Sequence, residues 1–350
     1  MKRRSLLAGT FLPGLALGLP QTIRAAGSPE GARLTGPYLH DNLAVYLVHG
    51  PSQAGPVPLT LQEGMARGLV RVIETGNVNE LQVENAGDDE VFIQSGEIVK
   101  GGQQDRVLMV SLILPPRSGR VPIASFCVEQ GRWSQRGGED VGQFRSAASA
   151  LPSREAKLAM AAAQPGGGGG RGAPPAAETQ VRQRAMWDSV ALAQRRLSAN
   201  VGETVAAPQS ATSLQLSLES EALRTSQSAY LAALKTIVDG KDDAIGYVAV
   251  VNGRISSADI YPSNGLFRKL WAKMLDASVT EAVGERNRPA GVAPNAEAVR
   301  DFLARSDGPP LRDRRLPGDV RAATREDARA VVVETRRPDG GLLHRNYVAK

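Results

Sequence analysis

The sequence is poor in the residues that most often build disulfides and metal sites, with one cysteine and three histidines in 350 residues. The single cysteine, Cys127, excludes an intrachain disulfide, so the fold has to be held together by its hydrophobic core. The histidines, His40, His49 and His344, lie far apart and form no pair at a spacing of two or four residues. We therefore expect no zinc site and no other bound metal.

Two nucleotide-binding signatures are also missing. The stretch SGEIVKGGQQDR, residues 95–106, has the glycine spacing of a phosphate-binding loop at Gly96 and Gly101. However, Gly102 and Gln103 occupy the positions where that loop needs Lys and Ser or Thr. The next segment has the pattern of a strand, so no helix N-terminus follows that could bind a phosphate, and a Rossmann fingerprint fails for the same reason. There is no G-x-S-x-G motif for an acyl-transfer serine either, and we expect no cofactor.

The charge pattern argues against nucleic acid as a partner. The formal net charge is +6, but four basic and no acidic residues fall within 1–26, so removing that segment leaves a net charge of +2. Arginines and carboxylates are interleaved along the remainder, whereas a nucleic-acid binder needs a clustered basic face. No second apolar stretch reaches the length of a membrane span, so no membrane contact is expected once residues 1–26 are removed.

Residues 1–26 have the three-part build of a secretory signal peptide. A basic start (KRR) precedes an apolar run that ends at Leu19, and small residues follow it. The Arg3–Arg4 pair with two leucines just behind it is similar to a twin-arginine signal, which exports folded proteins, although adjacent arginines also occur in ordinary signals. We expect a periplasmic or secreted protein, exported by either route.

Residues 38–137 have the pattern of a β-rich half. Short runs of β-branched and apolar residues alternate with turn residues, which is typical of an antiparallel sandwich or a barrel-like sheet. The predicted strands are 43–50, 69–74, 80–85, 90–96, 106–114 and 121–129. Since Val107–Leu114 is apolar on both alternating faces, we expect it to form one central strand that is covered on both sides.

A Gly/Pro-rich segment, residues 138–179, separates this half from the rest of the chain. Its residues are small and polar, and we expect little fixed structure there beyond some helical tendency. Beyond it, residues 180–285 form the helical and α+β half. Helical periodicity covers 179–197 and places Trp187 on the packed face with Val190 and Leu197, and a second helix is predicted over 214–238.

The last third of the chain predicts two hairpins and a helix. Asn252–Gly253 is the strongest hairpin turn in the sequence. The helix after it has four large apolar residues at core spacing: Phe267, Leu270, Trp271 and Met274. Residues 286–350 are expected to form a loop and then a C-terminal hairpin turned at 338–341. The predicted fold class is α+β, with an antiparallel β-rich N-terminal half, helices, and a C-terminal sheet with a packed helix.

Five polar side chains are predicted near the ends of neighbouring strands: Glu97, Gln103, Arg106, Glu129 and Arg132. An arginine fork can hold a carboxylate through two parallel hydrogen bonds. One interpretation is structural, with a buried ion pair of the Arg106–Glu129 type fixing strand register. The other is functional, with a cleft where these groups meet a polar ligand or polarise a reacting bond.

Cys127 is expected to be a buried and inert thiol. On the predicted strand it shares a face with Ser125 and Glu129, and a carboxylate raises the pKa of a neighbouring thiol. A nucleophilic cysteine would instead need a neighbour that stabilises the thiolate, and free cysteine is among the most buried residue types.

Two motifs in the β-rich half resemble a known family. The first, G-E-x-V-x-G-G-x-Q-x-R, runs from Gly96 to Arg106, and the second, C-V-E-x-G-R-W, runs from Cys127 to Trp133. In this order they resemble the ARG and Rhodanese-Phosphatase-superfamily-associated Protein domain, in which ARG stands for ADP-ribosylglycohydrolase. The similarity continues beyond the Gly-rich segment and covers residues 38–285. It implies an association with ADP-ribose or nucleotide metabolism but no chemistry, since the name records proteins that occur beside the domain.

The residues and the resemblance together give seven ligand-binding candidates and no catalytic residue. The candidates are Glu97, Gln103, Gln104, Arg106, Glu129, Arg132 and Trp133, with either Gln103 or Gln104 matching the family's glutamine. We expect an exported binding or interaction module that recognises a polar ligand or a protein partner. One alternative is a hydrolase with Glu97 or Glu129 as general base and the two arginines, Arg106 and Arg132, stabilising developing negative charge. The other alternative is a purely structural motif.

Overall fold

The structure is a computed structural model of the chain, and it describes residues 33–132, 142–162, 176–307 and 309–350. The predicted signal peptide, residues 1–26, lies outside these ranges. So do Trp133 and the run of glycines within the 138–179 segment.

Seventeen strands are found in the described residues. In chain order they are β1 (Arg33–His40), β2 (Leu43–His49), β3 (Leu59–Thr60), β4 (Val70–Glu74), β5 (Glu80–Asn85), β6 (Val91–Ile93), β7 (Glu97–Gly101), β8 (Arg106–Leu108), β9 (Leu112–Leu114), β10 (Gly119–Cys127), β11 (Phe144–Ala150), β12 (Ala244–Val251), β13 (Arg254–Ile260), β14 (Arg312–Arg315), β15 (Arg321–Glu326), β16 (Ala330–Arg336) and β17 (Leu342–Ala349).

The same ranges contain seven α-helices. They are α1 (Leu61–Ala66), α2 (Arg154–Ala162), α3 (Ala176–Val201), α4 (Leu214–Leu218), α5 (Glu221–Leu234), α6 (Asn264–Gly284) and α7 (Ala296–Leu303). Together with the strands they give an α+β fold rich in antiparallel sheet, which confirms the predicted fold class.

The largest sheet has eight strands in the order β1-β2-β12-β13-β17-β16-β15-β14. β2 lies beside β12, which follows it in the chain by about two hundred residues, and the two strands are antiparallel. Segments from before and after the Gly-rich segment therefore share one sheet. Both predicted hairpins are confirmed within it: β12 and β13 turn at Asn252–Gly253, where both residues have positive φ, and β16 and β17 form the C-terminal hairpin.

A six-stranded sheet, in the order β11-β7-β8-β10-β5-β4, forms most of the β-rich half. Its two edge strands, β11 and β4, contact each other, so the sheet is curled in the manner of a half-barrel. The curling matters for the candidate site, because it brings the end of β4 against the β7–β8 turn.

The expected single strand over Val107–Leu114 is wrong. β8 ends at Leu108 and belongs to the six-stranded sheet, whereas β9 begins at Leu112 and pairs with β6 in a separate three-stranded sheet. All the residues between them are buried. The apolar pattern reports burial on both sides, and it cannot show that the chain passes from one sheet to another.

Three further expectations need correction. Within 138–179, the described residues include the strand β11, where only helical tendency was expected, whereas α2 agrees with that tendency. The second predicted helix, 214–238, is divided into α4 and α5 because Ser220 caps a new helix with its side chain. The expected loop after residue 286 contains α7, β14 and β15 before the final hairpin. The strands β11, β14 and β15 consist mostly of small or charged residues, so their sequences give a weak strand signal. They are stabilised by pairing with neighbouring strands, which the local sequence does not show.

Helix α6 is the central helix of the molecule and packs against β12, β11, α3 and α5. Its predicted core residues are at most 4 % exposed: Phe267, Leu270, Trp271 and Met274. The indole N–H of Trp271 donates to the Lys235 carbonyl at 2.8 Å, so the one polar atom of this side chain is satisfied. This helix also supplies Lys273 and Glu281, which point to two different regions described below.

Candidate functional site

The glycine-rich stretch 95–106 forms a strand, a tight turn and a second strand, as predicted. β7 pairs with β8 in antiparallel register. The turn needs two glycines, because Gly101 and Gly102 have φ values of 116° and 55°. A Cβ atom on Gly102 would lie 2.3 Å from the Phe144 ring. The backbone is therefore packed tightly against β11 at this turn.

Three buried charged side chains hold this turn, and we call Asp105, Glu129 and Arg132 the turn cluster. Arg132 donates from Nε to Glu129 Oε2 at 2.8 Å, and from Nη1 and Nη2 to the carbonyls of Gly102 and Gly101 at 3.0 and 3.2 Å. Glu129 Oε2 also accepts from the backbone N–H of Asp105 at 3.1 Å, and Asp105 Oδ1 accepts from the N–H of Gly101 at 2.9 Å. The cluster ties the turn to the chain that leaves β10.

Arg106 is also buried, but its partner differs from the one that the structural interpretation predicted. Its Nη2 lies 3.6 Å from Glu74 Oε1, and its Nη1 donates to the Gln104 carbonyl at 3.0 Å. Glu129 is bonded to Arg132 instead. Since β4 and β8 are not neighbours in the sheet, the Arg106–Glu74 contact joins strands that only the curling of the sheet brings together. Glu74 Oε1 further accepts from the backbone N–H of Gln103 at 3.1 Å.

Glu97 lies apart from the turn cluster and faces α6. Lys273 Nζ donates to Glu97 Oε1 at 2.6 Å, and Glu97 Oε2 accepts from the backbone N–H of Gln94 at 3.0 Å. The two side chains are 0 and 5 % exposed. Sequence reasoning grouped Glu97 with the other candidates, but its contacts connect β7 to the central helix.

A cleft of about 280 Å³ opens beside the turn cluster, between β10 and α3. We call it the Gln104 cleft. It is lined by Val78, Asn79, Gln104, Cys127, Thr179, Gln180, Gln183, Arg184 and Trp187. Of the six sequence candidates that the structure describes, Gln104 is the one that lines this cleft. Gln103, next to it, is half-buried and bonds Glu74 through its backbone, and Trp133 lies outside the described residues.

Several polar atoms of the Gln104 cleft have no hydrogen-bond partner among the described residues. Gln104 is 1 % exposed, yet neither its Oε1 nor its Nε2 is bonded. Asn79 Nδ2 and Trp187 Nε1 are buried and unpaired as well. A buried polar group left without a partner costs about 1–3 kcal/mol. Such groups, gathered in one concave site, indicate a position that a ligand or water molecules fill.

Cys127 forms part of the cleft wall but is not set up as a nucleophile. The pKa of its thiol is raised to about 11, mainly by burial, with the Arg106 charge lowering it and the carboxylates of Glu74 and Glu129 adding to the rise. Its side chain is 1 % exposed. The expected burial of Cys127 is confirmed, and its low reactivity stays a prediction.

A separate buried network has the residue types of an acyl-transfer triad. Ser111 Oγ lies 2.9 Å from His344 Nδ1, and His344 Nε2 lies 3.0 Å from Asp259 Oδ1. All three are at most 3 % exposed, and Ser111 Oγ also accepts from the backbone N–H of Ser95 at 2.9 Å. A substrate carbonyl cannot reach a serine sealed in this way, so the network joins β17 to β13 and to the chain before β9.

Sequence reasoning missed the residues that complete both the turn cluster and the cleft. Asp105 escaped because nothing in its local pattern shows that its carboxylate caps a turn and accepts from Ser213 Oγ at 2.7 Å. Trp187 was assigned to a packed helix face, and its helical spacing gives no indication that its indole N–H is unpaired. Asn79 lies in a loop, and its approach to α3 follows from the fold alone.

The described residues contain no group of three or more His, Cys, Asp or Glu side chains placed to hold a metal ion. None of their helices is long and apolar enough to cross a membrane.

Comparison with known proteins places the chain in one family. The family model described as the ARG and Rhodanese-Phosphatase-superfamily-associated Protein domain matches residues 31–348, which is longer than the 38–285 stretch on which the motifs were recognised. No curated protein and no solved structure matches the chain. The two motifs therefore identified the family correctly, and the chain belongs to the ARG and Rhodanese-Phosphatase-superfamily-associated Protein domain family.

Proposed function

We propose that this protein is an exported binding module that holds a small polar molecule in the Gln104 cleft. The observation that carries the proposal is the buried Gln104 amide, whose donor and acceptor are both unpaired among the described residues. A side chain that costs stability in the empty protein is expected at a site where a ligand completes its hydrogen bonds.

The chemistry of the cleft limits the class of ligand. The Gln104 amide offers an adjacent acceptor and donor, which suit a ligand with an adjoining N–H and C=O group. Asn79 Nδ2 and Trp187 Nε1 add two donors, and Arg184 adds a positive charge at the rim. We therefore propose a planar amide-containing molecule, uncharged or anionic, small enough for about 280 Å³.

The turn cluster has a positioning role in this proposal. Gln104 stands next to Asp105, whose backbone N–H is bonded to Glu129, and the Gln104 carbonyl accepts from Arg106. Buried charged side chains thus bond both polar groups of the peptide unit that follows Gln104, which fixes the backbone from which the Gln104 side chain projects. The Arg/Glu motif recognises no ligand directly but fixes the residue that does.

A hydrolase with Glu97 or Glu129 as general base has less support. Glu97 is held by Lys273, and Glu129 by Arg132 and a backbone N–H. A general base needs an oxygen within reach of the substrate proton, and both carboxylates are 0 % exposed. The link to ADP-ribose or nucleotide metabolism stays an association through the family name.

A small ligand is also favoured over a protein partner by the shape of the site. The unpaired groups line a cleft and not a flat face. The exposed large apolar residues of the described chain sit on different elements: Leu39, Val57, Val181, Val292 and Leu311. A protein-binding surface is expected to gather such residues in one patch.

Binding can be tested with three probes that each carry adjoining N–H and C=O groups: 2-pyridone, uracil and benzamide. Calorimetric titration of the parent protein should detect at least one of them, and Gln104→Leu should weaken it by tenfold or more because two hydrogen bonds are lost. Gln103→Leu is the matched control, since Gln103 contacts Glu74 through its backbone. We expect this variant to bind as the parent does.

Thermal unfolding of the same variants separates a ligand site from an architectural one. Gln104→Leu removes two unpaired buried polar atoms, so the free protein should be at least as stable as the parent. If Gln104→Leu unfolds several degrees earlier and none of the probes binds, the amide serves the fold and the proposed function fails.

Export is tested separately, because residues 1–26 lie outside the described structure. A reporter fused behind residues 1–26 should reach the periplasm or the medium. Replacing Arg3 and Arg4 by lysine should stop transport of the reporter if the twin-arginine route is used, and should leave its transport intact if the signal is an ordinary one.

A further inference from the structure

A second cleft, of about 210 Å³, lies where the start of α2 and the β12–β13 turn meet the C-terminal end of α6. We call it the Glu281 cleft. Among the described residues it shares no lining residue with the Gln104 cleft, and none of the sequence candidates described there lines it. Its lining is rich in charge, with Arg154, Arg254 and Arg288 facing Glu155, Glu281 and Glu285.

Glu281 is the buried group of this cleft and is 8 % exposed. Its Oε1 accepts from Ser256 Oγ at 2.7 Å, whereas its Oε2 has no partner among the described residues. A buried carboxylate oxygen that accepts no hydrogen bond is costly. The cleft therefore presents an acceptor that a ligand O–H or N–H group would satisfy.

The remaining charges of the cleft favour an anion. Glu155 and Glu285 are both bonded to Arg196, at 3.0 and 2.6 Å, and Glu285 is also bonded to Arg288. Arg196 and Arg288 thus balance Glu155 and Glu285, and the charges that remain are those of Arg154, Arg254 and Glu281, which sum to a net charge of +1. Arginine forks match the geometry of a carboxylate.

We propose that the Glu281 cleft binds a small hydroxylated carboxylic acid, whose carboxylate contacts Arg254 and Arg154 and whose hydroxyl donates to Glu281 Oε2. Its size agrees with a small metabolite, since about 210 Å³ is below the roughly 300–1,000 Å³ of pockets for drug-sized ligands. Both functional groups of the ligand are required. The hydroxyl donates to the buried oxygen of Glu281, and the carboxylate balances the positive charge of the two arginines.

The test uses probes that separate the two groups. D-gluconate, L-malate and L-lactate carry both a carboxylate and a hydroxyl, hexanoate carries only the carboxylate, and sorbitol carries only hydroxyls. In calorimetric titrations at low ionic strength, at least one hydroxy acid should bind about tenfold more tightly than hexanoate and sorbitol.

Two variants assign the two contacts. Glu281→Gln removes the hydroxyl acceptor together with a negative charge, so it should weaken the hydroxy acid by about tenfold relative to hexanoate, and the preference for a hydroxyl disappears. Arg254→Gln should weaken both acids, because it removes a positive charge. Arg120→Gln is the control, since Arg120 is an exposed arginine of β10 that does not line the cleft. Thermal unfolding of each variant verifies that it is folded.

The proposal is overturned if none of the three hydroxy acids binds with a Kd below about 10 mM. It is equally overturned if a hydroxy acid binds but Glu281→Gln and Arg254→Gln leave its affinity unchanged, since binding would then occur elsewhere. Neither result depends on the Gln104 cleft, whose probes and variants are different.

Discussion

The side chain of Gln183 on α3 is bonded to both backbone polar groups of Cys127 on β10. Gln183 Oε1 accepts from the Cys127 N–H at 3.0 Å, and Gln183 Nε2 donates to the Cys127 carbonyl at 2.9 Å. An amide side chain thus takes the place of a neighbouring strand at the end of β10. It also fixes the distance between the two walls of the Gln104 cleft.

Gln183→Leu should destabilise the protein by about 1–3 kcal/mol, because it leaves a buried N–H and a buried carbonyl unpaired. Urea unfolding would measure this loss. Gln180→Leu is the matched control: Gln180 lies on the same helix and lines the same cleft, but it is exposed. Equal midpoints for the two variants would show that Gln183 does not dock the helix.

The Lys273–Glu97 pair should behave as a buried ion pair. Lys273→Met alone should cost about 3–5 kcal/mol, because it strands the Glu97 carboxylate. Adding Glu97→Gln should recover part of that loss, since glutamine still accepts from the Gln94 N–H, and the double-mutant cycle should give a coupling of about 1–3 kcal/mol. The half-exposed pair Lys100–Glu219 is the control, where removal should cost about 0–1 kcal/mol.

Gly102→Ala should be more damaging than positive φ alone explains. Gly68 also has positive φ, at 70°, but nothing lies within 4 Å of its would-be Cβ atom, so Gly68→Ala measures the conformational cost, about 1–2 kcal/mol. Gly102→Ala adds a clash with Phe144 and should cost about 1–3 kcal/mol more. Similar unfolding midpoints for both variants would mean that the β7–β8 turn can move away from β11.

The sequence predicted the fold class, both hairpins and α6, because each has a strong local signal. Asn252–Gly253 fixes a tight turn, and a stripe of large apolar residues fixes the face of α6. The break between β8 and β9 has no such signal, since a buried run looks the same in one sheet or two. Pairs such as Lys273–Glu97, far apart in the chain, depend on which elements pack together.

Only part of the candidate site could be predicted, because only part of it has a local signal in the sequence. The motifs located the turn and its charges, because glycines and arginines in a short stretch stand out. They could not show which charges pair or which polar atom stays unpaired. Gln104 was included through the family motif, whereas Asn79 and Trp187 become part of a site only when the curled sheet meets α3.

Cys127 should react with iodoacetamide only at high pH. Because its pKa is raised to about 11, the thiolate is scarce at neutral pH and alkylation should accelerate until about pH 11. The unfolded thiol ionises near its ordinary value of 9.0, so stability should fall as pH rises from about 9 to about 11. Cys127→Ser is the control for that fall. A reaction that is already maximal at pH 8 would show an activated thiol.

Glu281 should make stability depend on pH in the opposite sense to an ordinary ion-paired carboxylate. Burial raises the pKa of Glu281 above 4.5, opposed by Lys157 and by the Ser256 hydroxyl, while Glu155 raises it further. The folded state therefore binds a proton that the unfolded state has already lost. This contribution to stability is complete below pH 4.5 and is lost as pH rises through the folded pKa.

Glu281→Gln removes this titration, so its stability relative to the parent should rise from pH 4.5 up to the folded pKa of Glu281, by at most about 1.4 kcal/mol per pH unit. Urea unfolding of both proteins from pH 4 to 8 would measure the difference. Glu297→Gln, at an exposed position on α7, is the control. If the parent instead gains stability over the Gln variant as pH rises, the Glu281 carboxylate is stabilised in its charged form and the cleft does not present an unsatisfied acceptor.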